Sequence, residues 1–324
     1  MKNRILLYNS GGGLGDSIQL FTLILSLKNH FKEADFFYLG AHENHYENKL
    51  KDYKIKIKTL DLDLKYFGFR WWHYFKVKKQ FSKLNVNKFD LVIDLQSKIR
   101  NTLILKKIPT ENFYSATYKF SFCSIKNNYS FKKNICAMTL DNIEKFLNIK
   151  IERIKYDLKN INEIFFKESK RLLPNNNYIG FSITQGNIYR KKSWSLDNFI
   201  SLAKEIKILN KVPVFFLEKS SEEIANKIKL EIPEALIPEY ESNLSGPALV
   251  TALSTRLEKA ISIDNGIMHM ISLSKIPMII LFGPTDSEKF SPDEKNIIIL
   301  DTKKIYKSDD ILKIQIADIL KYIN

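Results

Sequence analysis

Ile261–Asp286 reads ISIDNGIMHMISLSKIPMIILFGPTD. A short apolar run ends at Ile261 and Ile263 and is broken by Asp264-Asn265-Gly266, three residue types that favour turns. Ile267, Met268, Met270, Ile271 and Leu273 have the apolar density of a buried helix, and Pro277 stops it. Met278-Ile279-Ile280-Leu281-Phe282 is a continuous apolar run of strand length, as in a strand covered on both faces, and Gly283-Pro284-Thr285-Asp286 turns it. The stretch is a βαβ unit with polar residues at both strand C-termini, the edge at which open α/β sheets take their ligands. A helix starting near Gly266 aims N–H groups at an anion, so the ligand expected here bears phosphate.

The N-terminal end has the same logic. Arg4-Ile5-Leu6-Leu7-Tyr8 is an apolar strand, Gly11-Gly12-Gly13-Leu14-Gly15-Asp16 follows, and Ile18, Leu20, Phe21, Leu23, Ile24, Leu25 and Leu27 give the next helix a wide apolar face. Strand, glycine loop and helix begin a Rossmann-like half, with a backbone that can approach a ligand closely at Gly13 and Gly15. A dinucleotide fingerprint would want glycine where Asp16 stands and an acidic residue after Phe36–Leu39, where the chain has Gly40-Ala41-His42. A nicotinamide cofactor is therefore disfavoured. Asp16 either caps its helix or is a carboxylate able to take a proton from an attacking hydroxyl.

A chain of 324 residues accommodates two domains, and 44% hydrophobic with 27% charged residues describes a globular protein. No apolar run approaches the roughly 20 residues that span a bilayer, and Met1-Lys2-Asn3-Arg4 opens no signal peptide. Cys123 and Cys136 have neither metal nor disulfide spacing and read as buried thiols, which favours the cytoplasm. The net charge of +15, from 51 basic and 36 acidic residues, favours an anionic partner, although a codon bias toward Lys, Asn and Ile explains the same excess. Without zinc-finger spacing or an RNA-recognition motif, nucleic acid is disfavoured.

Between these ends, Ile55, Ile57 and Leu60 suggest a strand. Tyr66-Phe67-Gly68-Phe69-Arg70-Trp71-Trp72-His73-Tyr74-Phe75 is an aromatic cluster set among basic residues. It reads as core-packed helix or loop, as a surface for sugars and phosphates, or as membrane contact. Phe89–Gln96 is a parallel-type strand that leads through Ser97 into a helix carrying Leu103, Ile104 and Leu105. Gln96, Lys98 and Arg100 at its end are candidate ligand contacts. Ile108–Asp157 has few periodic signals beyond a helix near Asp141–Leu147; a helix over Lys159–Leu173 stops before Pro174. Tyr178–Ile183 opens the second half as a strand. Thr184-Gln185-Gly186-Asn187 follows, then Arg190-Lys191-Lys192-Ser193-Trp194-Ser195 before a helix near Leu196, a concentration of positive charge that suits a diphosphate. After the strand Val212–Leu217, Glu218 or Glu222 could hold ribose hydroxyls or serve as helix-start charges. Ser308-Asp309-Asp310 caps an amphipathic helix over Ile311–Tyr322.

These residues also resemble a known family. Asp264-Asn265-Gly266-x-x-His269, a helix, Pro277, an apolar strand and Phe282-Gly283-Pro284-Thr285 look like the donor signature of glycosyltransferase family 9, the ADP-heptose:lipopolysaccharide heptosyltransferases. Gly13-Leu14-Gly15-Asp16, Phe89–Gln96, Lys192-Ser193-Trp194 and Asn243-Leu244-Ser245-Gly246 match further family patterns in the same order. The glycine that usually precedes the family's ribose glutamate is missing at Leu217-Glu218-Lys219-Ser220, which leaves Glu218 and Glu222 both open.

The resemblance implies an α/β protein of GT-B architecture, two Rossmann-like domains facing across a cleft. An acceptor-binding domain is expected over 1–165 and a nucleotide-sugar domain over 166–324, with a terminal helix at about 308–323 packing back on the first domain. It implies an inverting glycosyltransferase with Asp16 as catalytic base and Lys192 on the departing diphosphate. Thr184, Lys192, Glu218 or Glu222, Asp264, Asn265, Gly266 and His269 would bind the donor; Gly13, Gly15, Gln96, Lys98 and Arg100 would bind the acceptor. No metal or resident cofactor is expected, since Lys192 can do a metal's electrostatic work. The expected partners are a nucleotide sugar, most simply ADP-heptose, an anionic glycolipid or oligosaccharide such as a lipopolysaccharide core, and the inner face of the membrane. A nucleotide-binding oxidoreductase and a catalytically silent glycan-binding protein are the alternatives.

Overall fold

The computed structural model describes residues 3–186 and 192–323, so Arg190 and Lys191 of the basic loop lie outside the described residues. The chain forms two compact units, Met1–Asp157 and Leu158–Asn324. The junction precedes the expected 165/166 because the helix Glu163–Leu172 packs against Pro247–Ser254 and so belongs wholly to the second unit.

The first unit holds five parallel strands: β1 Arg4–Asn9, β2 Asp35–Gly40, β3 Lys58–Thr59, β4 Phe89–Asp94 and β5 Thr110–Ser115, in the order β3-β2-β1-β4-β5. The second holds β6 Tyr178–Ser182, β7 Val212–Phe215, β8 Lys259–Ile263, β9 Met278–Phe282 and β10 Ile297–Asp301, also parallel, in the order β10-β9-β8-β6-β7. The first order is Rossmann-like. The second, counted within its own unit, is the flavodoxin-like 2-1-3-4-5. Strand order reverses between β1 and β4 in one sheet and between β6 and β8 in the other, and ligand crevices of open sheets form outside the carboxyl ends at such reversals.

The strands follow from their composition. All five residues of β6 and all five of β9 are buried, as helices on both faces of a parallel sheet require. Some elements depart from the sequence reading. The expected first helix is two, Leu14–Gln19 and Phe21–His30, joined at Leu20. Strand β3 covers only Lys58–Thr59, and the polar start of β5, Thr110-Glu111-Asn112, hides that strand from periodicity. Cys123 and Cys136 are buried, and neither is in a disulfide. No helix among the described residues is long and apolar enough to cross a membrane.

The C-terminal segment corrects an expectation. It is a 3₁₀ turn, Ile311–Lys313, capped by the Asp310 carboxylate, and a short helix, Ile316–Leu320. Ile311, Ile314, Ile319 and Ile323 are buried in the core of the second unit with Trp194 and Phe199, and the Trp194 indole N–H donates to Ile314 O at 3.0 Å. Within its own unit the segment completes the core, because its isoleucines find their apolar partners there. Ile319→Ala, which removes a fully buried side chain, is expected to cost about 2–5 kcal/mol, read as a lowered urea midpoint for the second unit.

Candidate active site

In the first unit the glycine loop bends around Asp16. Asp16 lies in the first turn of Leu14–Gln19, and its Oδ2 accepts from the Gly13 N–H at 3.2 Å. A Cβ on Gly11 would stand 3.0 Å from that carboxylate, and one on Gly12 would stand 2.3 Å from the His42 ring, so close approach requires glycine at both. Asn9, the last residue of β1, accepts from the Gly11 N–H at 2.9 Å and from the Gln96 side-chain amide at 2.8 Å. That side chain joins the ends of β1 and β4 across the reversal of strand order.

Beneath Gln96 lies a buried carboxylate. Asp94 Oδ1 accepts from the Gln96 N–H at 2.9 Å, and Oδ2 accepts from Thr102 Oγ1 at 2.6 Å and Ser115 Oγ at 2.8 Å. Burial pushes its carboxyl up to about 6 against the pull of those three donors. Asp94 therefore shapes the loop that carries Gln96. Lys98 and Arg100 turn elsewhere: Arg100 Nε donates to Gly68 O at 2.8 Å, and both cations lie over the Phe69 ring, at 5.7 and 5.9 Å. Gln96 thus joins Asp16 at the glycine loop, whereas Lys98 and Arg100 join the aromatic segment.

In the second unit the centre is an ion pair. Lys192 Nζ donates to Asp264 Oδ2 at 2.5 Å and to Asp264 O at 3.3 Å, with side chains only 13% and 7% exposed. Gln185 Oε1 accepts from the Lys192 N–H at 3.0 Å, and Trp194, 1% exposed, anchors the same stretch in the core two residues later. Asn265 Oδ1 caps Gly266–Ser272 by accepting from the Met268 N–H at 2.8 Å, while its amide donates to Ser182 Oγ and Thr184 O, both at 2.8 Å. One side chain therefore closes the reversal between β6 and β8. Thr184 lies half-buried beside it.

His269 is buried, and desolvation, with the Lys192 ammonium adding to it, holds its imidazole down to about 4 against the pull of Asp264. It is neutral at physiological pH and offers a phosphate no charge. Among the described residues no cluster of three or more His, Cys, Asp or Glu could hold a metal ion.

The sequence matches the profile of glycosyltransferase family 9 (heptosyltransferase) over residues 77–317. The chain belongs to that family. It is a glycosyltransferase with the GT-B fold. It is 23% identical over 298 residues to a lipooligosaccharide heptosyltransferase 2 of Campylobacter jejuni, covering 86% of this chain and 81% of the relative. The glycosyl transferase family 9 structure from Veillonella parvula superposes with a TM-score of 0.71 at 17% identity, over 99% of this chain and 96% of the other. E. coli heptosyltransferase WaaC, solved with ADP, superposes with a TM-score of 0.68 at 14% identity, over 99% and 98%.

Within this family-9 chain, Glu218 and Glu222 are both exposed near the end of β7. A third carboxyl there escapes the sequence reading. Glu239 Oε2 accepts from the Leu217 N–H at 3.3 Å, and enclosure of the carboxyl pushes it up to about 8, so it carries its proton at neutral pH and can donate as well as accept. Glu239 follows Glu218 by 21 positions, and no motif links them. Thr285 Oγ1, at the end of β9, is buried without a hydrogen-bond partner among the described residues; such a hydroxyl calls for an explanation and suits a ligand contact.

Two measurements follow from this geometry. Lys192→Ala leaves the Asp264 carboxylate buried without its cation and is expected to cost about 3–5 kcal/mol, most of it recovered when Asp264→Asn is added; denaturation of the two single variants and the double variant yields the coupling. Glu239 holds its proton more tightly folded than unfolded, so its contribution is full below about pH 4.5 and is lost as pH rises through about 8. Unfolding free energy should accordingly fall between pH 5 and pH 8 in the parent, by an amount absent from Glu239→Gln.

Proposed function

We propose that this chain moves heptose from ADP-heptose onto a sugar of a lipopolysaccharide-type core, with inversion at the anomeric carbon. The observation that supports this most directly is the placement of the family's residues. Asp16 stands in the glycine loop at the first reversal of strand order, and Lys192 with Asp264 and Asn265 stands at the second. The Campylobacter relative's name specifies heptose transfer to lipooligosaccharide, and E. coli WaaC was also solved with ADP-2-deoxy-2-fluoro heptose.

The chemistry is one displacement. The acceptor hydroxyl oxygen attacks the anomeric carbon, the bond from that carbon to the diphosphate breaks, ADP leaves with the electron pair, and the hydroxyl proton passes to Asp16. The Gly13 N–H orients the carboxylate through Oδ2. On the donor side an ammonium has three N–H bonds, and Asp264 engages Lys192 through two acceptors, so the lysine can hold Asp264 and a phosphate oxygen together. Thr184 and the N–H groups at Gly266 extend the diphosphate site, and neutral His269 helps position the donor. Glu218 or Glu222 takes the ribose hydroxyls. Gly13, Gly15 and Gln96 meet the acceptor sugar. No resident cofactor or metal is needed, and the reaction belongs at the cytoplasmic face of the membrane that carries the lipid-linked acceptor.

Asp16→Asn should lower transfer from ADP-heptose by about 10²–10⁴-fold while the thermal shift given by ADP is unchanged. Parent activity should persist in EDTA. A stabilising shift with UDP or GDP compounds but none with ADP would overturn the donor, and loss of activity in chelator, restored by Mg²⁺, would overturn the metal-free step.

A further inference from the structure

The aromatic segment of the first unit is only partly core. Phe69, Arg70, Trp71 and Trp72 are four consecutive exposed residues, and Phe75, one turn into the helix His73–Phe81, is 81% exposed. Two of the three tryptophans of the chain are therefore in solvent, against the usual preference of large aromatic side chains for burial. Nor is this a slack loop. Phe67 is buried and its carbonyl accepts from the Tyr8 hydroxyl at 3.1 Å; the Gly68 N–H donates to His73 Nδ1 at 3.2 Å, and Gly68 O accepts from Arg100. Gly68 has φ +85°, and a Cβ there would stand 2.4 Å from the Tyr8 hydroxyl. The backbone is pinned to β1 and to the helix Ile99–Leu105, and the rings outside it are presented by a rigid support.

The charge around these rings has one sign. Lys65–Lys88 contains seven Lys and Arg and no Asp or Glu, and Lys98–Lys107 contains four more, again without an acid. The two segments lie together: the helices His73–Phe81 and Ile99–Leu105 are in contact, and Lys107 Nζ sits 4.1 Å from the Tyr74 ring centre. Lys76 Nζ lies 4.8 Å from the Trp72 ring centre. Exposed indoles and phenyl rings interleaved with long basic side chains are what an anionic bilayer interface selects. The rings settle at headgroup depth, and the Lys and Arg stems lie along apolar surface with their charges at the phosphates. A glycan would instead be gripped in a concavity. A cavity of about 440 Å³ in this unit, lined by Tyr38–Asn44 and Thr59–Tyr66, takes none of Phe69, Trp71, Trp72 or Phe75.

We infer that the surface formed by Phe69, Trp71, Trp72 and Phe75 with Lys76, Lys78 and Lys79 docks this protein on an anionic phospholipid leaflet. The surface adjoins the catalytic loop of its own unit: the Tyr66 ring packs edge-on to His42 at 5.4 Å, and His42 fills the space over Gly12. Docking thus brings the Asp16 loop close to the interface, whichever sugar is transferred.

The test needs neither donor nor acceptor, so it stands apart from the transferase reading. Full-length protein is sedimented with phosphatidylcholine vesicles, with and without phosphatidylglycerol, at physiological salt, and Trp fluorescence is followed alongside; Trp194 is buried and serves as a constant background. Binding is expected only with phosphatidylglycerol, with a blue shift and a steep loss at high salt. The triple variant Trp71→Ser/Trp72→Ser/Phe75→Ser should abolish the shift and lower partitioning by about tenfold or more. Lys76→Gln/Lys78→Gln/Lys79→Gln should lower it by about fivefold per lysine, equivalent to about 1 kcal/mol each. An unchanged far-UV circular dichroism spectrum and thermal midpoint in both variants verify their fold. Absence of binding to anionic vesicles, binding indifferent to both variants, or capture by an oligonucleotide in preference to the vesicles would overturn the inference.

Discussion

Within each sheet every strand runs parallel to its neighbours, and a parallel sheet must be covered on both faces. Most of this architecture answers to that constraint. Strands such as β6 and β9 have no polar face, so they cannot carry chemistry along their length. Functional side chains are driven to the strand ends, where loops leave the sheet, and most usefully to the places where neighbouring strands send their chains in opposite directions. Asn9 and Asn265 do equivalent work at those two places. Each spans the gap with its side-chain amide, one by accepting from Gly11 and Gln96, the other by capping a helix and donating to Ser182 and Thr184.

Polar groups drawn into such edges have to be satisfied, and the two units do so differently. In the second, Lys192 and Asp264 neutralise each other while almost fully enclosed, and Trp194 fixes the lysine's stretch by donating to a carbonyl of the C-terminal segment. The terminal isoleucines are thus among the supports of the stretch that carries Lys192. In the first, Asp94 gains three donors but no cation, and its carboxyl rises toward 6. Its hydrogen bonds hold the loop of Gln96 in shape at the cost of a buried charge. Asp16, half-buried a few residues from β1, keeps a more open position than Asp94.

Charge and aromaticity are not spread evenly over the protein. Two acid-free segments of the first unit contribute heavily to the net charge of +15, and the exposed rings sit within one of them. A codon bias would scatter lysines without regard to the fold. Bringing Lys65–Lys88 beside Lys98–Lys107, on a backbone braced through Phe67 and Gly68, takes a specific arrangement.

Much was legible in the residues alone because it is local. Apolar runs of strand length, glycine and asparagine turns, helix caps such as Ser195 and the order of the motifs predicted two α/β halves and placed Asp16, Lys192, Asp264 and Asn265 at strand ends. Relations between distant segments were not legible, because no local energy records them. The order of strands in each sheet, the carboxyl of Glu239 enclosed beside Leu217, the turn of Lys98 and Arg100 toward Phe69, and the allegiance of the C-terminal segment to the second unit arise only when the chain is packed. Burial then sets the protonation of Glu239, Asp94 and His269, since removing water from a titratable group is a property of the assembled surroundings and not of the residue.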